Sequence, residues 1–268
     1  MSALDPPAWL ERVGFRTLYR LADLTYALGV ATPKRTVAGT YWSYEPTNPH
    51  GDDAGLAALS RLPTDATVID AGAHVGEHSI PLAADTDRRV VAFEPNAESA
   101  DRLARNAARN GLADRIDCRR AGLGDERGSL PFYRSTFSKC SAFDRDRATR
   151  WGARVAAVEE VPVYRLDDVV SGAGTGTAAG DPVAPPDAIK VDVEGHELAV
   201  LRGAAATLRT HRPLLVVEVH GAGDAGSDED AAAGDSAARD DHAAALRSWL
   251  SERGYGVEER GDVWVCRG

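Results

Sequence analysis

A glycine-containing turn with the sequence VIDAGAHVGEHS, residues 68–79, has the form of a ligand-binding loop between a strand and a helix. Gly72 has no Cβ, so the chain can turn sharply there and a ligand can approach the backbone. The helix predicted to begin near Gly76 offers free N–H groups and the positive end of its dipole. The turn lacks the G-K-[ST] ending of the phosphate-binding loop, with its lysine, and its spacing differs from the dinucleotide loop G-x-G-x-x-G. Asp70, just before the turn, would repel a pyrophosphate and suits a cationic or hydroxyl-bearing ligand.

A second carboxylate, Glu94, follows Asp70 by 24 residues and ends the next predicted strand, VVAFE. In open α/β sheets this position meets the ribose of a bound nucleoside, and a carboxylate there accepts the hydrogens of both ribose hydroxyls. A lone glutamate at a strand end would more often be a surface or capping residue. Because it follows the glycine turn at this distance, we predict that Glu94 contacts a ribose.

A second acidic cluster, KVDVEGHE, follows a strand that looks buried and ends at the same sheet edge as the glycine turn. Asp192 and Glu194 could act as a general base, orient a substrate hydroxyl or bind a divalent metal. A metal would take further ligands from Glu218 or His220, and His220 could also accept the proton of an alcohol. Alternatively, Glu194 and Glu197 satisfy the free N–H groups of the following helix. We predict Asp192, Glu194 and His220 as catalytic candidates and no metal site.

Strands and helices alternate from Thr67 onward, which is typical of βαβ units and a parallel sheet. Asn96 is the expected N-cap of the second helix, and Gly111 its expected C-cap. Strands are predicted at 67–70, 88–94, 115–123, 188–192 and 214–220, and helices at 76–84 and 96–111. The chain closes with a predicted helix over 242–253 and a terminal hairpin.

The remaining segments have weaker patterns. Residues 7–30 are predicted to be helical and amphipathic, and the aromatic-containing stretch 31–53 is predicted to be irregular. Two short strands, GSLPFYR and EEVPVYRL, flank a polar stretch, Ser135–Arg150, that is expected to form a loop or lid. The segments 171–187 and 221–241 are low in complexity and are predicted to be flexible insertions.

Several of these blocks resemble one known family. VIDAGAHVGEHSIPLA, VVAFEPNAESADRLARNAARNG, RLDDVV, IKVDVEGHELAVLRGAAATL and RPLLVVEVHG occur in the order typical of the FkbM family of S-adenosylmethionine-dependent methyltransferases. The resemblance covers roughly residues 66–220. It implies an α/β class I methyltransferase fold, Rossmann-like, in which a mostly parallel seven-stranded sheet has helices on both faces and ends in an antiparallel hairpin.

The resemblance also implies how S-adenosylmethionine is held. Glu94 is implied to bind the ribose, and Gly122 or Leu123 to flank the adenine. His74 stands where the family usually has asparagine. The amino-acid end of the cofactor is implied to lie against the turn that contains Asp70, Ala71, Gly72, His74 and Gly76.

The domain organisation and activity follow as expectations. Residues 1–65 are predicted to form a helical extension that caps the substrate side, and residues 66–268 the cofactor-binding methyltransferase domain. The expected reaction is methylation of a hydroxyl on a saccharide, a glycolipid or a related small molecule. An N-methyltransferase, and a related fold that binds without catalysis, are the alternatives, and a dehydrogenase is disfavoured by the loop spacing.

Composition restricts the location and the partners. The chain of 268 residues is 43% apolar, enough for one large α/β domain or two small ones. It has no uncharged apolar run of about 18 residues and no secretory-signal pattern, so a cytoplasmic location is expected. The net charge of −10, without a basic stripe, argues against a nucleic-acid partner. Cys118, Cys140 and Cys266 lack CxxC spacing, so we predict neither a disulfide framework nor a zinc site.

The basic residues are almost all arginines, since Lys34, Lys139 and Lys190 are the only lysines. Aspartate outnumbers glutamate. An acidic, lysine-poor surface stays hydrated in high salt, which screens its self-repulsion. The pattern therefore indicates a salt-adapted, halophilic protein, although a genome of high GC content would produce similar richness in Ala, Arg, Asp and Gly. Lys190, in a strand, could pair with an acid.

Overall fold

A seven-stranded sheet organises the part of the chain that the computed structural model describes, which is residues 8–173, 180–219 and 232–268. The strands are β1 (Thr32–Thr36), β2 (Gly39–Ser43), β3 (Thr67–Ala71), β4 (Arg89–Phe93), β5 (Ile116–Arg119), β6 (Gly122–Leu123), β7 (Gly128–Ser135), β8 (Val155–Tyr164), β9 (Ala188–Val191), β10 (Leu214–Glu218), β11 (Gly256–Arg260) and β12 (Val263–Arg267). The helices are α1 (Ala8–Leu28), α2 (Ala54–Leu59), α3 (Ser79–Ala83), α4 (Ala97–Arg109), α5 (Leu166–Ser171), α6 (Glu197–Gly203), α7 (Ala205–His211) and α8 (Ala232–Ser251).

The order of the central sheet is β11-β12-β10-β9-β3-β4-β5. Strands β5, β4, β3, β9 and β10 run parallel, whereas β12 is antiparallel to both β10 and β11. This arrangement confirms the predicted mostly parallel seven-stranded sheet with a terminal hairpin. The chain order reverses between β3 and β9, and in open α/β sheets such a switch point opens a crevice for ligands.

Both faces of the central sheet are covered, which explains why its strands are apolar throughout. Val68 and Ile69 are neighbours on β3 and both fully buried, but they belong to different apolar cores because successive side chains point to opposite faces. The core around Ile69 contains residues of α5, α6, α7 and α8, and the core around Val68 contains residues of α2, α3 and α4.

The predicted strand over 115–123 is wrong beyond Arg119. A tight turn, in which the N–H of Ala121 donates to the carbonyl of Arg119, ends β5 there. Residues 122–123 then form β6, which pairs with β8 in a separate sheet of order β6-β8-β7. The two short strands predicted on either side of the polar stretch are β7 and β8, which form an antiparallel pair in this second sheet.

Three other segments differ from expectation. The stretch 31–53, predicted to be irregular, contains the hairpin of β1 and β2. The helix after the glycine turn begins at Ser79 rather than near Gly76, because the chain is still turning over the intervening residues. Residues 232–241, predicted as part of an insertion, belong to α8. Most of that insertion, and residues 174–179 of the other, lie outside the described residues.

Two asparagines, Asn106 in α4 and Asn110 at its C-terminal end, hold the N-terminal segment against the central domain. The amide Nδ2 of Asn106 donates to the hydroxyl of Tyr26 at 2.8 Å and to the carbonyl of Val75 at 3.0 Å, and its oxygen accepts the N–H of Tyr44. One helical turn later, Asn110 exchanges two hydrogen bonds with the backbone of Trp42. Asn106 thus joins α1 and the segment after β2 to the glycine turn.

None of the described helices combines the length and apolar character needed to cross a lipid bilayer. None of the three cysteines, Cys118, Cys140 and Cys266, is in a disulfide bond.

Asn106→Ala should destabilise the fold more than Asn110→Ala. Asn106 is fully buried, so truncation leaves polar partners without water or a replacement, at a cost of at least about 2 kcal/mol. The bonds of Asn110 to Trp42 are exposed, and their loss should cost about 1 kcal/mol or less. Urea unfolding in molar salt measures both. Equal losses of stability would show that Asn106 is not the main attachment.

Candidate active site

The described residues form a cavity at the carboxyl edge of the sheet, where β3, β4, β9 and β10 end. Its space, including the open mouth, is about 1080 Å³, enough for a nucleoside-sized ligand and a neighbouring small molecule. Carboxylates predominate among its charged lining groups. The titratable residues that line it are Glu77, Glu94, Asp192, Glu194, Glu218, Asp262, His50, His74 and Lys139.

Most of the residues predicted from the sequence line this cavity. They are Gly72, His74, Glu94, Gly122, Leu123, Asp192 and Glu194. Asp70, Ala71 and Gly76 are not among the lining residues. His220 lies outside the described residues.

Asp70, predicted to hold the amino-acid end of the cofactor, does not line the cavity. Its carboxylate is fully buried beneath the turn, where it accepts a hydrogen bond from Ser79 Oγ at 2.6 Å and lies 3.2 Å from Lys190 Nζ. Ala71 packs in an apolar core, and a Cβ on Gly76 would meet the side chain of Ile80 at 2.8 Å. These three residues therefore support the turn from the protein interior. The structure does not place them where a ligand in the cavity would touch their side chains.

Lys190 connects the glycine turn to the second acidic cluster. Its ammonium lies 3.2 Å from Asp70 Oδ1 and 3.3 Å from Asp192 Oδ2, and it donates to the carbonyl of Gly72 at 2.9 Å. Burial alone would lower the pKa of Lys190, but the surrounding carboxylates, Asp70 first, raise it above its usual range. Lys190 therefore stays charged, and the predicted pairing with an acid is confirmed.

The backbone around Gly72 requires a glycine. Its φ of 78° lies in the left-handed region, and a Cβ there would come within 1.7 Å of the carbonyl oxygen of Asp192. The ends of β3 and β9 approach each other so closely because the N–H of Asp192 donates to the carbonyl of Ala71 at 3.0 Å. A side chain at Gly72 would separate the glycine turn from the second acidic cluster.

The backbone orients the carboxylate of Glu94. One oxygen accepts the N–H of His74 at 2.7 Å and the other accepts the N–H of Asn96 at 2.8 Å. Burial raises the pKa of Glu94 above its usual range, although His74 and these N–H groups act in the opposite direction. Asn96 also caps α4, as predicted, by accepting the N–H of Glu98. The strand end, the turn and the next helix together fix this one carboxylate.

His74 adopts a left-handed conformation, with φ of 48°. Histidine and asparagine are both enriched among the non-glycine residues that tolerate this region, which explains how histidine can stand where asparagine was expected. Its Nε2 lies 2.8 Å from Ser138 Oγ. The replacement therefore preserves the turn and adds a contact with the opposite wall of the cavity.

That opposite wall is made by the polar stretch between β7 and β8. Phe143 and Trp151 line the cavity, and Arg150 forms an ion pair with Glu194. Glu194 itself has a φ of 54°, so the loop turns sharply directly after the second acidic cluster. The cavity is therefore bounded by the strand ends on one side and by this stretch on the other.

Sequence reasoning missed Glu77. Its buried carboxylate lies 2.9 Å from Lys139 Nζ and 3.6 Å from His50 Nε2. Burial alone would raise the pKa of Glu77, but Lys139, with His74 and His50, holds it well below its usual range. Glu77 is in the glycine-turn motif, yet its partners Lys139 and His50 are remote in the sequence, so no local pattern indicates its role.

Comparisons with known proteins agree with this architecture. The chain is 29% identical over 162 residues to the hexuronic acid methyltransferase AglP of Haloferax volcanii, covering 60% of this chain and 59% of that protein. It is 28% identical over 166 residues to the methyltransferase sdnD of Sordaria araneosa, covering 54% of this chain and 62% of that protein. The aligned regions thus span about three fifths of the length of these relatives.

Two solved structures share the fold. A methyltransferase FkbM from Methylobacillus flagellatus KT aligns with a TM-score of 0.50 and 20% identity, over 79% of this chain and 46% of that one. An O-methyltransferase from Bacillus cereus, solved in complex with SAH, aligns with a TM-score of 0.50 and 15% identity, over 94% of this chain and 90% of that one. At these identities the likeness concerns the fold alone.

The family assignment comes from a match to the methyltransferase FkbM domain over residues 70–257, well over half of the chain. The matched region contains the glycine turn, Glu94 and the second acidic cluster. The match confirms the family resemblance and S-adenosylmethionine as the cofactor. This chain belongs to the FkbM methyltransferase family.

Proposed function

We propose that this protein transfers the methyl group of S-adenosylmethionine to a hydroxyl group of a saccharide or a related small molecule. The observation that carries the proposal is the arrangement of carboxylates in one cavity. Glu94 stands at the end of β4, whereas Asp192 and Glu218 stand at the ends of β9 and β10, beside it on the same sheet edge. One carboxylate suits a cofactor ribose and the others suit an acceptor.

The residues present fit the cofactor. A carboxylate offers about four acceptor positions, so Glu94, which accepts two N–H bonds, retains capacity for both ribose hydroxyls. Phe93 and Leu123 supply apolar surface near Gly122 for an adenine ring. The acidic lining attracts a cationic sulfonium. When bound, S-adenosylmethionine supplies an electrophilic methyl group.

The second acidic cluster fits the acceptor. A carboxylate of Asp192 or Glu194 can accept a hydrogen bond from a hydroxyl and so turn an oxygen lone pair toward the methyl carbon. With the cofactor bound, that carboxylate would take the hydroxyl proton when the oxygen is methylated. Lys190 and Arg150 act as positioning residues, because each holds one of these carboxylates in place.

A saccharide suits the acceptor side of the cavity. Carboxylates and the hydroxyls of Ser138 and Ser141 offer many hydrogen bonds, and the ring of Trp151 offers a flat apolar surface for the C–H face of a sugar. The hexuronic acid methyltransferase similar to this chain makes sugars the first acceptors to test. Amine acceptors, which the acidic lining would also attract, are tested beside them. The cytoplasmic location and the salt adaptation stay predictions.

Glu94→Gln should weaken binding of S-adenosylhomocysteine at least about tenfold, because a hydrogen bond to a charged group contributes roughly 1.5–3 kcal/mol. Isothermal titration calorimetry in molar salt measures the dissociation constant. Glu98→Gln removes the same charge from an exposed position four residues later and serves as the matched control, with unchanged affinity expected. Equal affinities in all three proteins would remove Glu94 from the cofactor site.

Asp192→Asn should separate binding from transfer. The substitution keeps the shape of the side chain, so affinity for S-adenosylhomocysteine should stay within about threefold of the wild type, while turnover should fall about 100-fold or more. Turnover is measured by mass spectrometry as the gain of one CH₂ unit on panels of neutral glycans, uronic-acid glycans and amines. If Asp192→Asn instead abolished cofactor binding, the division of the cavity into two halves would be wrong.

Affinity for S-adenosylhomocysteine should also fall as the pH is lowered. Ribose hydroxyls donate to ionised Glu94, so protonation of that carboxylate competes with binding. Burial raises the pKa of Glu94, so the loss should begin at a higher pH than the value of about 4.3 for an ordinary glutamate would give. Calorimetry between about pH 8 and about pH 5 tests this. Glu94→Gln should show a flatter profile, and an equally steep profile would contradict the assignment.

A further inference from the structure

A cluster of metal-ligating side chains lies beside the cavity, outside the residues assigned to methyl transfer. One ligand atom from each of His50, Asp53 and His78 lies within 4.8 Å of the other two. His78 Nε2 is 3.2 Å from Asp53 Oδ1, and the rings of His50 and His78 are 4.8 Å apart between their centroids. The 3.2 Å between His78 and Asp53 is a separation found between two ligands of one small cation, since metal–ligand bonds of about 2.0–2.2 Å place ligands roughly 3–4 Å apart. The ligand atom of His50, within 4.8 Å of the other two, would move closer to them when a cation binds.

Two of the three side chains are already fixed by the fold. Asp53 caps α2, and its Oδ1 accepts the N–H of Leu56 at 2.6 Å. His78 is 5% exposed and directly precedes α3. His50 lies in the loop after the β1–β2 hairpin and also lines the cavity. Asp53 and His78 are therefore a preorganised pair of ligands, and His50 adds a third donor from a separate loop.

Helix capping alone does not account for the cluster. Capping explains the position of Asp53, and a hydrogen bond to Asp53 explains that of His78. Neither interaction requires the imidazole of His50 to lie against that of His78. His50 is also 3.6 Å from the carboxylate of Glu77, which is already paired with Lys139. Two imidazoles and one carboxylate form a donor set typical of Zn²⁺ and of neighbouring divalent transition metals.

We propose that His50, Asp53 and His78 bind one divalent transition-metal cation of the Zn²⁺ type. The cation would replace the proton between His78 and Asp53 and would join His50 to them. It would fasten the loop before α2 onto the end of the glycine turn and so stiffen one wall of the cavity. The site does not depend on the proposed transfer reaction.

Cobalt titration tests the site directly. Full-length protein without a histidine tag is treated with a chelator and titrated with Co²⁺, whose visible absorption reports nitrogen and oxygen coordination, and Zn²⁺ then competes. We expect one saturable site per chain. His50→Ala should weaken Co²⁺ binding by about 100-fold or more, since changes even to residues that only support a ligand cost about 10–100-fold. His211→Ala, at an exposed histidine of α7, should leave binding unchanged.

A second variant and a thermal measurement guard against misfolding. Asp53→Asn keeps an oxygen that can cap α2 but removes the charge, so it should weaken metal binding while the metal-free protein melts as the wild type does. Zn²⁺ at about 100 times the wild-type Kd should raise the Tm of the wild type by about 5 °C or more, and that of His50→Ala by about 1 °C or less. Absence of a saturable site, or wild-type binding by both variants, would overturn the proposal.

Discussion

One buried ammonium group determines the geometry of the site. Burying a charge is costly unless partners surround it, and Lys190 meets this requirement with the carboxylates of Asp70 and Asp192 and the carbonyl of Gly72. These partners come from the end of β3, the glycine turn and the end of β9. Without the cation, two carboxylates would repel each other at the place where the strands converge. The cofactor side and the acceptor side of the cavity therefore share a single counter-charge.

The choice of lysine at this place has a physical reason. An ammonium is a compact charge whose three donors can serve acceptors in three directions, whereas a guanidinium is planar and larger. In a chain with so few lysines, Lys34 is also buried and Lys139 pairs with Glu77 at the cavity. Arginine supplies nearly all other positive charge, including exposed pairs such as Arg260 with Glu258. The few lysines of this acidic chain therefore lie in the interior or at the cavity.

The sequence predicted those features that depend on local periodicity. The alternation of strands and helices predicted the sheet. Because parallel strands end at one edge, it also predicted that Glu94 and Asp192 lie close together, and both line one cavity. Features that depend on remote partners were missed. Asp70 faces Lys190 beneath the turn, and Glu77 acquires its role from Lys139, which is 62 residues away. Likewise, β6 leaves the central sheet because its pairing partner is β8, which no pattern within residues 115–123 could indicate.

The segments with the weakest sequence patterns form the part of the cavity that we propose to bind the acceptor. The N-terminal segment contributes His50, and the stretch between β7 and β8 contributes Lys139 and Trp151. Each is held by contacts across long sequence distances, such as those of Asn106 with Tyr26 and Tyr44. The side chains that these segments place in the cavity can change without disturbing the sheet, because His50, Lys139 and Trp151 belong to neither of its apolar cores. On the proposed assignment, cofactor binding depends on the regular part of the fold and the choice of acceptor on the irregular part, where the proposed cation would have most effect.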